Sequence, residues 1–222
     1  MIKILYSNIG DWSLLEYQRC LEHFPAETRS EIERYQVFKD KASRLAGKAL
    51  LLKATSDTSY AGAGLLEIER ETNRKPFLSN WMPFSISHSG DIVVLAFGEG
   101  KEIGVDIEYK DSRMDVTFLA THFCQEEQDM LARAEKPAEL FFELWVRKEA
   151  VLKGSGIGIT RGLGEFGCIK DRVRHNGQEW LLKKLEIDPA YASCLAVQAE
   201  QEVEIEQVLC HELRFIASSC LS

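Results

Sequence analysis

The chain has 222 residues, 45% hydrophobic and 28% charged, an ordinary globular composition with room for one large or two small domains. Its formal charge of −8, from 27 Lys and Arg against 35 Asp and Glu, argues against a nonspecific nucleic-acid binder. No apolar run of about 18 residues occurs, Met1 to Asp11 lacks the order of a signal peptide, and six scattered cysteines form no C-x-x-C pair; the expectation is a cytoplasmic protein with reduced thiols, with no membrane span, zinc site or disulfide scaffold.

Along the chain, Ile2 to Tyr6 alternates like a first strand, and Thr28-x-x-Glu31 has the form of a capping box ahead of a helix. A longer helix is predicted from about Asp40, with Lys41, Arg44 and Lys48 on one face beside Ala42, Leu45, Ala49 and Leu52. This stripe belongs to a segment, Arg29 to Lys53, with seven basic residues against three acids. Such a region can meet an anion or be a solvated face. The continuous apolar run Ile92 to Phe97 suits a buried strand, and Ile103 to Glu108 alternates with period two. Helices are predicted near Val116 to Ala120, Gln125 to Ala134 and Glu139 to Lys153, the last ending at Gly154; Leu181 to Ile187 and Ser193 to Val197 read as strands. Arg147 to Lys184 is again basic, nine against four, whereas Glu186 to Leu213 holds seven acids and no Lys or Arg.

Asp106 and Glu108, two apart on a strand, project to one side with Cα atoms roughly 6.6 Å apart and can reach one cation. Glu149 lies four residues after Trp145 and three before Leu152, on the apolar stripe of its helix. A carboxylate aimed at a core needs a cation, a hydrogen-bond network or a raised pKa; Lys148 and Lys153 flank it, so an ordinary helix ion pair competes with a metal site. The segment Ser85-Ile86-Ser87-His88-Ser89-Gly90 is rich in hydroxyl donors and suits contact with an oxyanion. Ser87 and His88 point oppositely on an extended chain, and no G-x-S-x-G elbow surrounds them, so a nucleophile and base pair is disfavoured. Asn73-Arg74-Lys75-Pro76 places two cations before a stiffening proline, as an anion loop or a surface turn would.

Taken in order, Arg74-Lys75-Pro76-Phe77, Ser85 to Gly90, Ile103 to Glu108, Phe123-Cys124-Gln125-Glu126-Glu127, Trp145-Val146-Arg147-Lys148-Glu149-Ala150 and Lys153-Gly154 resemble the motifs of 4′-phosphopantetheinyl transferases of the Sfp type, the long monomeric branch. The resemblance implies an α+β fold of two similar, pseudo-twofold-related subdomains, residues 1–100 and 101–222, with the active site in the cleft between them. It implies transfer of the phosphopantetheine arm of coenzyme A to a serine of an apo acyl or peptidyl carrier protein from fatty-acid, polyketide or nonribosomal peptide synthesis, releasing adenosine 3′,5′-bisphosphate. By similarity, Asp106, Glu108 and Glu149 ligate Mg²⁺; Lys148, Lys153, Ser87 and His88 meet the pyrophosphate; Lys75 and Pro76 meet the nucleotide; Arg44 lies near the 3′-phosphate. Either Glu126 or Glu149 is the general base, with Lys148 also in the catalytic set. Ile32 stands where relatives often carry a basic contact, with Arg29 and Arg34 as substitutes. An acidic carrier helix is expected on Lys170, Arg172 and Arg174, with apolar contacts from Val116 to Phe123. Two other classes compete: a metal-dependent nuclease using Asp106 and Glu108-Tyr109-Lys110, and a noncatalytic carrier-binding module.

Overall fold

A computed structural model describes residues 1–58, 68–70, 75–157 and 162–214. Arg74 lies outside them. In chain order the elements are β1 (Ile2–Asn8), α1 (Leu14–Leu21), α2 (Ala26–Glu33), α3 (Phe38–Asp57), β2 (Ile68–Arg70), β3 (Pro76–Leu78), β4 (Phe84–Ser89), β5 (Ile92–Gly98), β6 (Ile103–Tyr109), α4 (Val116–Ala120), α5 (Gln125–Arg133), α6 (Pro137–Ser155), β7 (Arg172–His175), β8 (Gln178–Lys184), β9 (Tyr191–Val197) and β10 (Val203–Gln207).

One sheet has the order β10-β1-β5-β4 and a second β6-β9-β8-β7, with β2 and β3 as a separate pair. The run β1, α3, β4, β5 is repeated as β6, α6, β8, β9. In each half the last strand of the run lies between the other two, antiparallel to both. Each long helix covers one face of its sheet. Leu5, Val93, Leu95 and Phe97 bury against Leu45, Ala46 and Ala49 of α3, while Ala192, Cys194 and Ala196 bury against Val146, Ala150 and Val151 of α6. A third cluster joins the halves: Ile2, Ile4, Ile92, Val94 and Ala96 meet Ile103, Val105, Ile107, Leu195 and Val197. Period-two alternation makes this possible, because β6 sends its odd residues into that cluster and keeps Gly104, Asp106 and Glu108 for the α6 side. The mixed α+β class and the two similar halves agree with the sequence expectation. β10, from beyond residue 200, completes the sheet built from residues before 100 by pairing parallel with β1.

Local expectations hold in part. β5 is buried at every position, as its continuous apolar run implies. Thr28 and Glu31 do not cap a helix: both lie inside α2, whose N-cap is Pro25, and the working capping box is Ser13 with Glu16 at α1. α6 runs past Gly154 and stops at Gly156, whose φ of 70° is the left-handed C-terminal cap that glycine accepts without strain. Gly154 instead serves packing. It sits where α6 crosses β6, and a Cβ built on Gly104 would lie 1.8 Å from the Ala150 carbonyl oxygen and 2.5 Å from the Gly154 nitrogen. Only glycine lets the two backbones approach this closely.

Candidate functional site

That close crossing brings the α6 residues Glu149 and Lys153 over the polar face of β6. Lys153 Nζ donates to Asp106 Oδ1 at 2.6 Å and to Ser87 Oγ at 2.7 Å. Ser87 Oγ in turn donates to Asp106 Oδ1 at 2.8 Å. Asp106 and Glu149 are each only 2% exposed, while Glu108 is half-buried. Asp106 Oδ2 and both carboxylate oxygens of Glu149 are buried with no hydrogen-bond partner.

Three acids so placed repel one another. The Glu149 carboxyl is pushed up to about 7 by burial first, then by Asp106 and Glu108, with Lys153 opposing. Glu108 is also raised, by burial and then by Asp106, against hydrogen bonds from Ser89 and Trp145 and the charge of Lys153. One ammonium is a poor match for three carboxylates, and buried oxygens without donors are costly. Among the described residues no three His, Cys, Asp or Glu side chains already stand in a ligating arrangement. The donor set is nevertheless all oxygen, and three of its atoms have nothing to accept from. A hard divalent cation fits that chemistry.

The seam between the halves is a row of hydroxyls. β4 and β6 are edge strands of their sheets, and the free amides of β6 are met by serine side chains: Val105 N–H donates to Ser85 Oγ at 3.1 Å, Ile107 N–H to Ser87 Oγ at 3.4 Å, and Tyr109 N–H to Ser89 Oγ at 3.0 Å. Ser89 Oγ then donates to Glu108 Oε2 at 2.7 Å. The serines thus replace a partner strand and hold two carboxylates at once. Sequence reasoning misses Ser85 and Ser89 as site residues, although the spacing at 85, 87 and 89 is visible as a period-two row. It also misses Trp145, whose ring packs tilted against Phe123 and Phe141 on the α6 side of the cluster.

His88 is exposed on β4, yet desolvation of its ring, then Arg44 and Lys153, lower its pKa, with Asp40 and Asp106 opposing. The charge of Arg44 therefore reaches this neighbourhood; its guanidinium lies 4.0 Å above the Tyr35 ring, with Nε buried and unpaired. The remainder of the basic stripe is already neutralised, since Lys41 pairs with Glu33 at 2.6 Å and Lys48 with Glu31 at 3.1 Å. Lys75 meets Glu102 and donates to the Gly154 carbonyl at 2.8 Å, at the end of α6. Pro76 opens β3, paired with Arg70.

Two expected residues are not brought to the cluster. Lys148 is fully buried and points into the core of the second half, where it pairs with the equally buried Glu127 at 2.7 Å and donates to the Leu163 and Phe166 carbonyls. Lys148 lies four residues from both Leu144 and Leu152, the same inward signal that singled out Glu149. Glu126 is exposed in the first turn of α5, one residue from the glutamate that the core uses.

The 4′-phosphopantetheinyl transferase superfamily profile matches residues 102–203, and that of the 4′-phosphopantetheinyl transferase N-terminal region matches residues 11–99. Over 198 residues the chain is 30% identical to 4′-phosphopantetheinyl transferase psf-1 of Bacillus pumilus, covering 82% of each chain. It is 27% identical over 198 residues to 4′-phosphopantetheinyl transferase Sfp of Bacillus subtilis, covering 82% of this chain and 86% of that one. Another relative is the L-aminoadipate-semialdehyde dehydrogenase-phosphopantetheinyl transferase of Xenopus laevis, 27% identical over 168 residues, or 68% of this chain and 56% of that one. With matches to both halves and a relative aligned over most of its length, the chain belongs to the 4′-phosphopantetheinyl transferase family.

Proposed function

We propose that this enzyme transfers the 4′-phosphopantetheine arm of coenzyme A to a serine hydroxyl of an apo acyl or peptidyl carrier protein, in a Mg²⁺-dependent reaction that releases adenosine 3′,5′-bisphosphate. The observation that carries the reading is the set of inward carboxylates, Asp106, Glu108 and Glu149, with three unpartnered buried oxygens beside Lys153, in a member of this family.

In the reaction, the serine oxygen bonds to the phosphorus next to the pantetheine arm and the bond from that phosphorus to the bridging oxygen breaks. Its electron pair leaves with adenosine 3′,5′-bisphosphate, and the serine proton passes to a base. Such displacements depend chiefly on positioning and on neutralising phosphate charge. Asp106, Glu108 and Glu149 would hold Mg²⁺, which when bound supplies Lewis-acid charge to the pyrophosphate. Lys153 adds a second cation on the same side, Arg44 extends the positive edge toward the 3′-phosphate, and His88 offers the phosphates a ring N–H donor. Lys75 would exchange Glu102 and the Gly154 carbonyl for the nucleotide, with Pro76 beside it. Of the two candidate bases, Glu149 is favoured because it stands within the carboxylate cluster beside Asp106, whereas Glu126 is exposed on another helix. Carrier docking falls to the exposed Lys170 and Arg174, with Arg172, which now pairs with Glu179 at 3.0 Å. Phe118 of α4, 62% exposed, supplies an apolar contact.

Incubation with coenzyme A, Mg²⁺ and a panel of apo carriers, read by intact mass, tests the reading. The expected result is a gain of one phosphopantetheine on the carrier serine, abolished by a chelator. Carrier binding without mass gain, or DNA cleavage, rejects it.

A further inference from the structure

The hydroxyl row at the seam has a built-in inequality. All three serines accept a β6 amide, twenty residues further along the chain. The residue preceding that amide differs at each rung: Gly104 at Ser85, Asp106 at Ser87, Glu108 at Ser89. The first rung joins strands and nothing else. The second is shared with Lys153, which also holds Asp106 directly. The third alone couples the strand joint to a half-exposed glutamate.

A hydroxyl has one proton and two lone pairs. Accepting the Tyr109 amide fixes one lone pair of Ser89 Oγ and leaves its proton aimed at Glu108 Oε2. Glu108 has more rotatable bonds than Asp106 and lies closer to solvent, so an unrestrained side chain would sample several rotamers. We infer that Ser89 is a positioning residue: by bonding the Tyr109 amide and Glu108 together, it sets the direction from which this carboxylate meets a cation. The inference rests on the reading of Asp106, Glu108 and Glu149 as the Mg²⁺ site. It predicts that the half of the protein carrying α3 takes part in cation binding through an uncharged side chain, although all three carboxylates come from the other half.

The test is a Mg²⁺ titration of the full chain, followed by its thermal midpoint, for wild type, S85A, S89A, S89T and S89C. A ligand that binds only the folded state raises that midpoint with concentration. S85A and S89A each lose one strand-edge bond, S89A the bond to Glu108 as well, and both are expected to melt below wild type in chelator. S89A alone should need about 10- to 100-fold more Mg²⁺ for half of its shift, the usual cost of removing a hydrogen bond behind a metal ligand. S89T, which keeps the hydroxyl, should restore the wild-type requirement, and S89C, with a weak donor, should fall between. A purely structural role would move the melting temperature in chelator but not the Mg²⁺ requirement. Equal Mg²⁺ requirements in S85A, S89A and wild type overturn the inference while leaving the magnesium reading intact. A wild-type midpoint indifferent to Mg²⁺ sinks the magnesium reading, and this inference with it.

Discussion

Lys148 Nζ lies 2.7 Å from Glu127 Oε2, and neither side chain is exposed to solvent. Glu127 also accepts from the Cys168 amide at 2.7 Å, and Lys148 donates to the carbonyls of Leu163 and Phe166. The pair therefore ties α5, α6 and the segment before β7 together with its hydrogen-bonding capacity used.

Removing one partner should be far worse than removing both. K148M leaves Glu127 charged in the core and should destabilise by about 3 to 5 kcal/mol. The double variant K148M/E127L loses the charge along with the pair and should recover part of that, limited by the backbone groups left without partners. Urea unfolding of the two singles and the double measures this. Because Lys148 faces away from the carboxylate cluster, the double variant should also keep its affinity for coenzyme A; a collapse of that affinity in a folded double variant would return Lys148 to the pyrophosphate.

Glu149 should make the cation-free protein less stable as pH rises. Its carboxyl is near 7 when folded against an ordinary 4.5, so the folded state holds the proton more tightly. The resulting contribution is fully present below about 4.5 and is lost as pH rises through about 7, at most about 3 kcal/mol for a shift of this size. E149Q, neutral throughout, should match wild type near pH 5 in chelator and exceed it at pH 8. Mg²⁺ should close the gap by stabilising the ionised wild type. A gap independent of pH would contradict the assignment.

Gly104 should resist even the smallest substitution. A methyl there must displace the Ala150 carbonyl, 1.8 Å away, and so lift α6 from β6. G104A should cost at least about 3 kcal/mol by chemical denaturation. If it folds at all, coenzyme A transfer should fall further than stability explains, since Glu149 and Lys153 move with the helix. A G104A protein with wild-type stability would mean that the crossing has room for a methyl group.

Reversing charge at Lys170, Arg172 and Arg174 should raise KM for an apo carrier several-fold and leave kcat unchanged, with the wild-type KM rising toward the variant's as salt is added. Steady-state kinetics at two ionic strengths checks both. An unchanged carrier KM would move the docking surface elsewhere.

Periodicity made much of this protein legible. The run Ile92 to Phe97 could only be a buried strand or a buried helix segment, and its length decided for the strand. Alternation in Ile103 to Glu108 placed Asp106 and Glu108 on one face, and the apolar stripe of α6 turned Glu149 inward. The same stripe carries Lys148, but a charged side chain between two leucines can serve a site or a core, and only the position of Glu127 separates these. Thr28 and Glu31 have capping-box spacing, yet Pro25 starts the helix three residues earlier, where its fixed φ and absent amide proton cost nothing. The basic stripe on α3 was real as a pattern. Its net charge was not legible, because Glu31 and Glu33 reach Lys48 and Lys41 from a neighbouring helix. Val203 to Gln207 reads as part of an acidic tail, since only pairing with a distant strand makes it a strand.

That distant strand also sets a schedule. β1 hydrogen-bonds β10 from Ile2 opposite Val203 to Tyr6 opposite Gln207. Once β5 has been made and can pair with β1, a chain growing at 5–20 residues per second still needs roughly 5 to 20 s to reach residue 203. Throughout that interval the nascent sheet offers an open template of backbone donors and acceptors, the kind that recruits neighbouring chains. Yield in a crowded cell should therefore depend on how fast translation covers the stretch between β5 and β10, because the outer edge of β1 is closed only by a strand made about a hundred residues later.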